Sequence, residues 1–205
     1  MKTLLSICLF ASAAAALADT PRLCANTAEA ALIAPALAKG PVGPVSSAAV
    51  GQELKLNEAL IVSTYKPEQA VGVSGANFAP VWSSLNAWGD SMILITKGGN
   101  VFEVSSKVRP GEPSKRSKFF NLQGSGPGLS GHLRPDLISA IYGLALPTKE
   151  GAARGLMFFG EQGESVFGVF VASEGREPSA DELAKFKTTW DLLKSLPPVC
   201  GSAPH

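Results

Sequence analysis

Short runs of β-branched and aromatic residues dominate the chain between residues 91 and 172. Glycine-containing turns separate these runs, which have the length and composition of β-strands. The runs are SMILIT, NVFEVS, KFFNLQ, LISAIYGLAL, RGLMFFG and SVFGVFVA. The tripeptide KGG joins the first two runs and GEQG joins the last two, so both connections predict hairpins. The pattern therefore predicts an antiparallel sheet.

Helical periodicity precedes the predicted strands. The segment ELKLNEALIVSTY, which begins at Glu53, predicts a short amphipathic helix. In NFAPVWSSLNAWGD the apolar residues recur at helical spacing, with Asn77 as the expected cap and Gly89 as the expected end. These segments predict helices on the N-terminal side of the sheet.

The clearest helix lies near the C-terminus, in SADELAKFKTTWDLLKSLPP. Ser179 and Glu182 have the spacing of a capping box, and Pro197 with Pro198 stops the helix. The predicted fold class is therefore α+β, an antiparallel β-sheet between N-terminal helices and a C-terminal helix. We expect one domain over residues 53–200.

The first 52 residues are expected to lie outside this domain. Residues 1–18 combine an early lysine, an apolar run and a small-x-small end, which predicts a signal peptide cleaved after Ala18. Residues 19–52 are rich in alanine, proline and glycine and predict a loosely held arm. On this basis we expect a periplasmic or secreted protein.

Two of the three cysteines, Cys24 and Cys200, lie near the two ends of the mature chain. In an oxidising compartment such a pair predicts a disulfide. The alternative is two free thiols that bind a metal, which is less favoured because the chain has no Cys-x-x-Cys motif.

The overall charge and hydropathy exclude some classes of function. A formal net charge of +1 argues against nucleic-acid binding, which needs a strongly basic face. The apolar run near the N-terminus is shorter than the roughly 20 residues of a membrane span, and no later segment qualifies. We therefore expect neither a nucleic-acid partner nor a membrane span.

His132, in the stretch GPGLSGHLRPDL, is the only histidine besides the terminal His205. A zinc site needs several His, Cys or carboxylate ligands, and GLSGH has histidine where a nucleophile elbow requires glycine. Haem needs fewer ligands from the protein, because the porphyrin already supplies four nitrogens to the iron. His132 is thus either a haem ligand or a turn residue bonded to its neighbours, and we expect no enzymatic activity.

From about Glu58 to Leu193 the chain resembles the haem-utilisation carrier proteins of the HutX/ChuX type. The resemblance depends on segments that follow one another in the family's order. They are VWSSLNAWGDSMILIT, GGNVFEV, KFFNL, GLSGHLRPDLISAIY and the final hairpin and helix from LMFFGEQG to FKTTW.

This resemblance implies a haem cleft between sheet and helix, and a possible homodimer. The family's Gly-His motif falls on His132, which becomes the expected axial ligand of the iron, with Arg134 as the propionate partner. Phe119, Phe120 and Tyr142 are expected to line the pocket, and Tyr142 is a further possible ligand of ferric iron. The implied function is a periplasmic or secreted protein that sequesters or transfers haem.

The chain departs from the family at several positions. A histidine that some members carry after Trp-Gly falls on Thr96, and a lysine of the final strand falls on Gly168. These losses favour an alternative, a non-catalytic interaction module of the cell envelope that keeps the fold and has lost haem binding.

Overall fold

The computed structural model of the protein describes residues 21–40, 43–97, 100–124, 126, 128–149, 151–171 and 177–201. The predicted signal segment and His205 lie outside these residues. Across the described part of the chain, no helix has both the length and the apolar character needed to cross a membrane.

The described residues form five α-helices and nine β-strands. The helices are α1 (Thr27–Lys39), α2 (Ser46–Leu54), α3 (Glu58–Val62), α4 (Phe78–Leu85) and α5 (Ala180–Ser195). The strands are β1 (Ala70–Ser74), β2 (Asp90–Lys97), β3 (Asn100–Lys107), β4 (Gly111–Pro113), β5 (Phe120–Leu122), β6 (Gly131–Leu133), β7 (Ile138–Thr148), β8 (Gly151–Gly160) and β9 (Ser165–Val171).

Six of the strands form one antiparallel sheet in the order β1-β7-β8-β9-β2-β3. The strands β4, β5 and β6 form a separate antiparallel sheet in that order. The predicted α+β class is confirmed, with helices before and after the main sheet. The run KFFNLQ, however, pairs with β4 and β6 in the small sheet and not in the main sheet.

Both faces of the main sheet are covered over β7, β8 and β9, which explains the nearly continuous apolar runs of β8 and β9. Successive side chains of a strand point to opposite faces, so Phe158 and Phe159 belong to different cores. On the first face, Phe158 packs with residues of α4, α5 and the small sheet, including Trp82 and Phe120. On the second face, Phe159 packs with Tyr142 and with Val62 of α3.

The described part of the predicted arm, residues 21–40 and 43–52, is not loosely held. An Asn26–Glu29 capping box begins α1, and Ile33 of this helix packs with Val50 of α2 and Ile61 of α3 in a third buried cluster. Alanine has the highest helix propensity of all residues. A few apolar contacts are therefore enough to hold this alanine-rich segment as helices. The prediction of a loose arm considered only its lack of bulky residues.

The helix predicted from Glu53 is interrupted. Lys55 adopts a left-handed conformation with φ 55° and ends α2, and the side chain of Asn57 then caps α3. The predicted cap Asn77 makes no side-chain capping bond to α4; a 3-10 turn capped by Ser74 leads into that helix instead. The capping box of Ser179 and Glu182 at the start of α5 is confirmed.

A disulfide joins Cys24 and Cys200, whose Cα atoms are 5.7 Å apart. It connects the segment before α1 to the segment after α5. Beside it, the backbone N–H of Val199 donates to the carbonyl of Gly72 in β1. The disulfide therefore attaches the N-terminal helices to the β1 side of the main sheet.

Candidate functional site

The small sheet places His132 on an exposed surface. In β5, Phe120 and Leu122 point into the core, so Asn121 between them points outward. His132 lies directly opposite Asn121 in the register of β5 and β6 and therefore shares this outer face. The β pleat thus turns the imidazole away from the core.

The imidazole of His132 is held by its cross-strand partner. Its Nδ1 lies 2.7 Å from Oδ1 of Asn121. An amide oxygen only accepts hydrogen bonds, so the N–H group at Nδ1 donates a hydrogen bond to Asn121. In the neutral ring Nε2 is then the unprotonated nitrogen, with a lone pair available to a metal.

Phe119 and Arg134 form a small cluster beside this imidazole. The ring centroids of Phe119 and His132 are 5.7 Å apart, and the guanidinium carbon of Arg134 lies 5.8 Å from the centre of the Phe119 ring. Phe119 remains 40% exposed, so its ring is available to an apolar ligand at the surface.

Arg134 is engaged by Asp136. Its Nε and Nη2 donate to the two carboxylate oxygens of Asp136 over 2.7 and 2.8 Å, and Lys118 lies 3.4 Å from the same carboxylate. The hydrogen bond from Arg134, together with the nearby Lys118, lowers the pKa of Asp136 to about 2. The carboxylate is therefore ionised at neutral pH, and an incoming anion competes with it for Arg134.

A cleft of about 380 Å³ opens next to His132. It lies between β6 with its following turn and the turn that joins β8 to β9. Leu137 and Val166, both more than a third exposed, contribute apolar surface, whereas Glu161 and Glu164 contribute carboxyl groups. The cleft thus combines one imidazole with apolar walls and a partly acidic edge.

Two of the predicted pocket residues lie elsewhere. Phe120 is buried in the first-face core, edge-on to Phe78 at 5.3 Å. Tyr142 is buried on the second face against Phe159, with its hydroxyl 3.4 Å from Sγ of Cys200. Burial raises the pKa of the Tyr142 phenol. The pleat therefore places both residues in the core instead of at the cleft.

Arg109 organises the glycine-rich turn that precedes His132. Its buried guanidinium donates to the backbone carbonyls of Gly124 and Gly126, which have positive φ angles. Its own backbone carbonyl accepts a hydrogen bond from the indole of Trp82 at 3.0 Å. Nothing in the local sequence singled out this arginine, because the contacts cross fifteen or more residues.

A second cleft, of about 580 Å³, lies between α2 and the β2–β3 hairpin. Inside it, Oγ1 of Thr96 lies 2.6 Å from Oγ of Ser165, and Ser165 also bonds the carboxyl group of Glu58. Thr96, the position onto which the resemblance placed a histidine of the family, thus belongs to a chain of hydroxyl and carboxyl groups. Its side chain is not directed at the cleft beside His132.

Burial raises the pKa of Glu58, and the hydrogen bonds from Ser165 offset this only in part. Between the ordinary pKa and the raised one, the folded protein holds this proton more strongly than the unfolded chain, so stability falls as pH rises. We expect Glu58→Gln to raise the free energy of unfolding at pH 7. The gain should disappear at about pH 3 and below, where the glutamic acid is protonated in both states.

Urea unfolding at the two pH values measures this difference. The exposed Glu53 gives a matched control, since Glu53→Gln changes the same charge without a buried carboxyl group. An equal gain in the free energy of unfolding at both pH values would show that a change in packing, and not in protonation, causes the stability difference between Glu58→Gln and the wild type.

Comparison with known proteins identifies similar sequences and folds. The family model of haem utilisation ChuX/HutX matches residues 71–189, more than half of the chain. The intracellular heme transport protein HutX of Vibrio cholerae serotype O1 is 29% identical over 141 residues, which cover 68% of this chain and 72% of HutX.

Solved structures share the fold. A crystal structure of ChuX superposes with a TM-score of 0.68 at 20% identity, covering 80% of this chain and 98% of ChuX. A protein from Agrobacterium tumefaciens gives 0.69 at 24% identity, covering 81% and 92%. Holo-PhuS, a heme-binding protein from Pseudomonas aeruginosa, gives 0.61 at 16% identity, covering 81% of this chain but 47% of PhuS.

The predicted periplasmic or secreted localisation is wrong. The relative HutX is an intracellular heme transport protein, and it matches two thirds of the chain. The export prediction depended on the early lysine, the apolar run and the small-x-small end of residues 1–18, which lie outside the described part of the chain. So short a pattern does not by itself specify a compartment.

Proposed function

The chain belongs to the haem utilisation ChuX/HutX family, and from that premise we propose that it binds haem at the cleft beside His132. One observation carries the proposal. The imidazole of His132 donates from Nδ1 to Asn121, which leaves Nε2 as the metal-binding nitrogen next to an apolar cleft. Haem brings an iron with four porphyrin nitrogens, so one protein nitrogen suffices as the axial ligand.

The side chains around His132 fit a flat apolar ligand with acidic groups. Leu137, Val166 and the ring of Phe119 offer exposed apolar surface. Arg134 and Lys118 provide positive charge for the propionates of haem. The propionates would replace Asp136 as the partner of these two side chains. The carboxyl groups at the edge of the cleft repel the propionates of haem. They therefore favour an orientation in which the propionates face Arg134 and not the β8–β9 turn.

We further propose that His132 is the single protein ligand of the iron. Thr96 bonds Ser165, and Tyr142 is buried against Phe159 on the other face of the sheet. An iron held by one imidazole at an open cleft suits a carrier that takes up haem and passes it on. A carrier function, in place of a catalytic one, is consistent with the name of the relative HutX.

Titration of the purified protein with hemin tests this function. We expect a shifted Soret band that saturates at one haem per chain, and loss of the band when an excess of apomyoglobin is added. With reductant and oxygen, absorbance of bilin products should not develop. A spectrum equal to that of free hemin at every ratio would refute haem binding, and bilin formation would refute the carrier function.

We also propose a homodimer formed through β3, an edge strand of the main sheet. On one face of this edge, Phe102 and Val104 are about half exposed, and Ile95 of β2 lies directly opposite Phe102. Adjacent exposed apolar side chains on a sheet edge favour association with a second chain. PhuS, about half of which this chain matches, is long enough to hold two such units.

We expect Phe102→Lys to convert the dimer to a monomer, because a buried lysine without a partner opposes association. Light scattering coupled to size exclusion measures the mass. Glu103→Lys is the matched control, since Glu103 lies on the same strand with its side chain on the opposite face. A monomeric wild type, or a dimer that survives Phe102→Lys, would contradict this interface.

A further inference from the structure

We propose that Asn121 is the positioning residue of the haem site and sets the donor strength of His132. This inference depends on the proposed haem ligation by His132 and adds a second residue to it. Asn121 Oδ1 lies 2.7 Å from His132 Nδ1, on the side of the ring away from the nitrogen that would bind iron. A group in this position controls the tautomer, the rotation and the basicity of a metal-binding imidazole.

The small sheet holds the backbone of Asn121 in place from both sides. Asn121 is the central residue of the central strand, opposite Glu112 of β4 and opposite His132 of β6. The neighbouring Phe120 and Leu122 anchor β5 in the core. Because β5 is paired on both sides, the backbone of Asn121 is fixed, and the hydrogen bond with Nδ1 of His132 holds its amide beside the imidazole.

The imidazole is confined on a second side. The Phe119 ring lies 5.7 Å from it, with an angle of 56° between the ring planes, and Arg134 covers Phe119 in turn. Asn121 therefore holds the Nδ1 edge while Phe119 limits rotation of the ring. Together these contacts restrict the orientation of the imidazole and leave Nε2 without a role in them.

The acceptor is a neutral amide, although a carboxylate lies in the same row of side chains. Glu112 is the partner of Asn121 on its other side, but its carboxylate accepts a hydrogen bond from the side chain of Gln123. A carboxylate acceptor would give the imidazole more anionic character and a stronger bond to ferric iron. The amide gives an intermediate donor strength, which suits a carrier that must release haem.

Two variants of nearly equal size separate the effect of the acceptor from that of packing. Asn121→Asp places a carboxylate at the same position, and Asn121→Leu removes the acceptor. In the haem-bound protein we expect Asn121→Asp to raise the Fe(II)–His stretching frequency in resonance Raman spectra and to lower the midpoint potential. Asn121→Leu should shift both quantities in the opposite direction and speed haem dissociation about tenfold.

The protein without haem provides an independent measurement. Nitrogen-15 NMR of the imidazoles, with His205→Ala to assign them, should show His132 protonated at Nδ1 in the wild type. Asn121→Leu should give the mixture of tautomers that an unrestrained histidine has. Thermal unfolding of the variants checks that each is folded.

The outcomes distinguish this inference from the function on which it depends. If folded Asn121→Asp and Asn121→Leu proteins keep the wild-type frequency, potential and tautomer, Asn121 does not position His132, even though haem binds. If the wild type does not bind hemin, the proposed function fails. In that case the tautomer measurement alone still shows whether Asn121 orients the ring.

Discussion

His132→Ala is expected to abolish the shifted Soret band of the hemin complex and to weaken haem binding on the order of 100-fold or more. The substitution removes the nitrogen proposed as the single axial ligand, whereas loss of an outer partner of a metal ligand alone costs about 10- to 100-fold in affinity. The fold should survive, because His132 is exposed and its strand is held by Leu133 and the backbone pairing with β5. Absorbance and fluorescence titrations with hemin measure both effects.

The chain offers a matched control for this variant. His205 is its only other histidine, so His205→Ala should keep the wild-type spectrum and affinity. Imidazole added to the His132→Ala protein should restore part of the Soret shift, because it replaces the missing ligand. An unchanged spectrum in His132→Ala would assign the iron ligand to another residue. Loss of the band in Tyr142→Phe would show that the buried phenol reaches haem after all.

Joint replacement of Cys24 and Cys200 by serine is expected to lower the free energy of unfolding by about 2–4 kcal/mol. The two cysteines are 176 positions apart, so their bond restricts almost the whole unfolded chain. In the folded protein the bond attaches the segment before α1 to residues that pack against β1 and Tyr142. Without it, noncovalent contacts such as those of Ile33 with Val50 and Ile61 hold α1.

Chemical denaturation with and without dithiothreitol measures this contribution. The reductant should destabilise the wild type by the same amount as the double substitution and should leave the double variant unchanged. Cys8→Ser, which removes the third cysteine, should match the wild type under both conditions. Equal unfolding midpoints for the wild type and the double variant would show that the bond does not stabilise the folded state.

Prediction from the sequence succeeded where a local pattern decides the structure. The capping box of Ser179 and Glu182 begins α5 as expected, because both hydrogen bonds form within one turn. It failed for the described residues 21–40 and 43–52, where α1 and α2 are stabilised by contacts with α3 that no local pattern reveals. It also failed in part for KFFNLQ. This segment was predicted to be a strand, but the sheet to which it belongs depends on pairing between distant segments.

The candidate site was predictable in part for the same reason. The Gly-His motif identified His132, and the structure places Arg134 and Phe119 beside it. Phe120 is adjacent to Phe119 in sequence but points to the opposite side of β5, and Tyr142 points to the far face of the main sheet. The sequence did not predict a role for Asn121 or Arg109, because each contacts a residue that is eleven or more positions away along the chain.

The sequence by itself determined the strands of both predicted hairpins, the C-terminal helix, the fold class and the family, since periodicity, caps and motifs are local properties of a chain. It also identified His132, the histidine proposed to bind haem. Only the tertiary structure decided which of the aromatic residues are exposed beside His132 and which nitrogen of its imidazole is available. Those features follow from strand register and from the pleat. A displacement of one residue between β5 and β6 would separate Asn121 from His132 without any change in sequence.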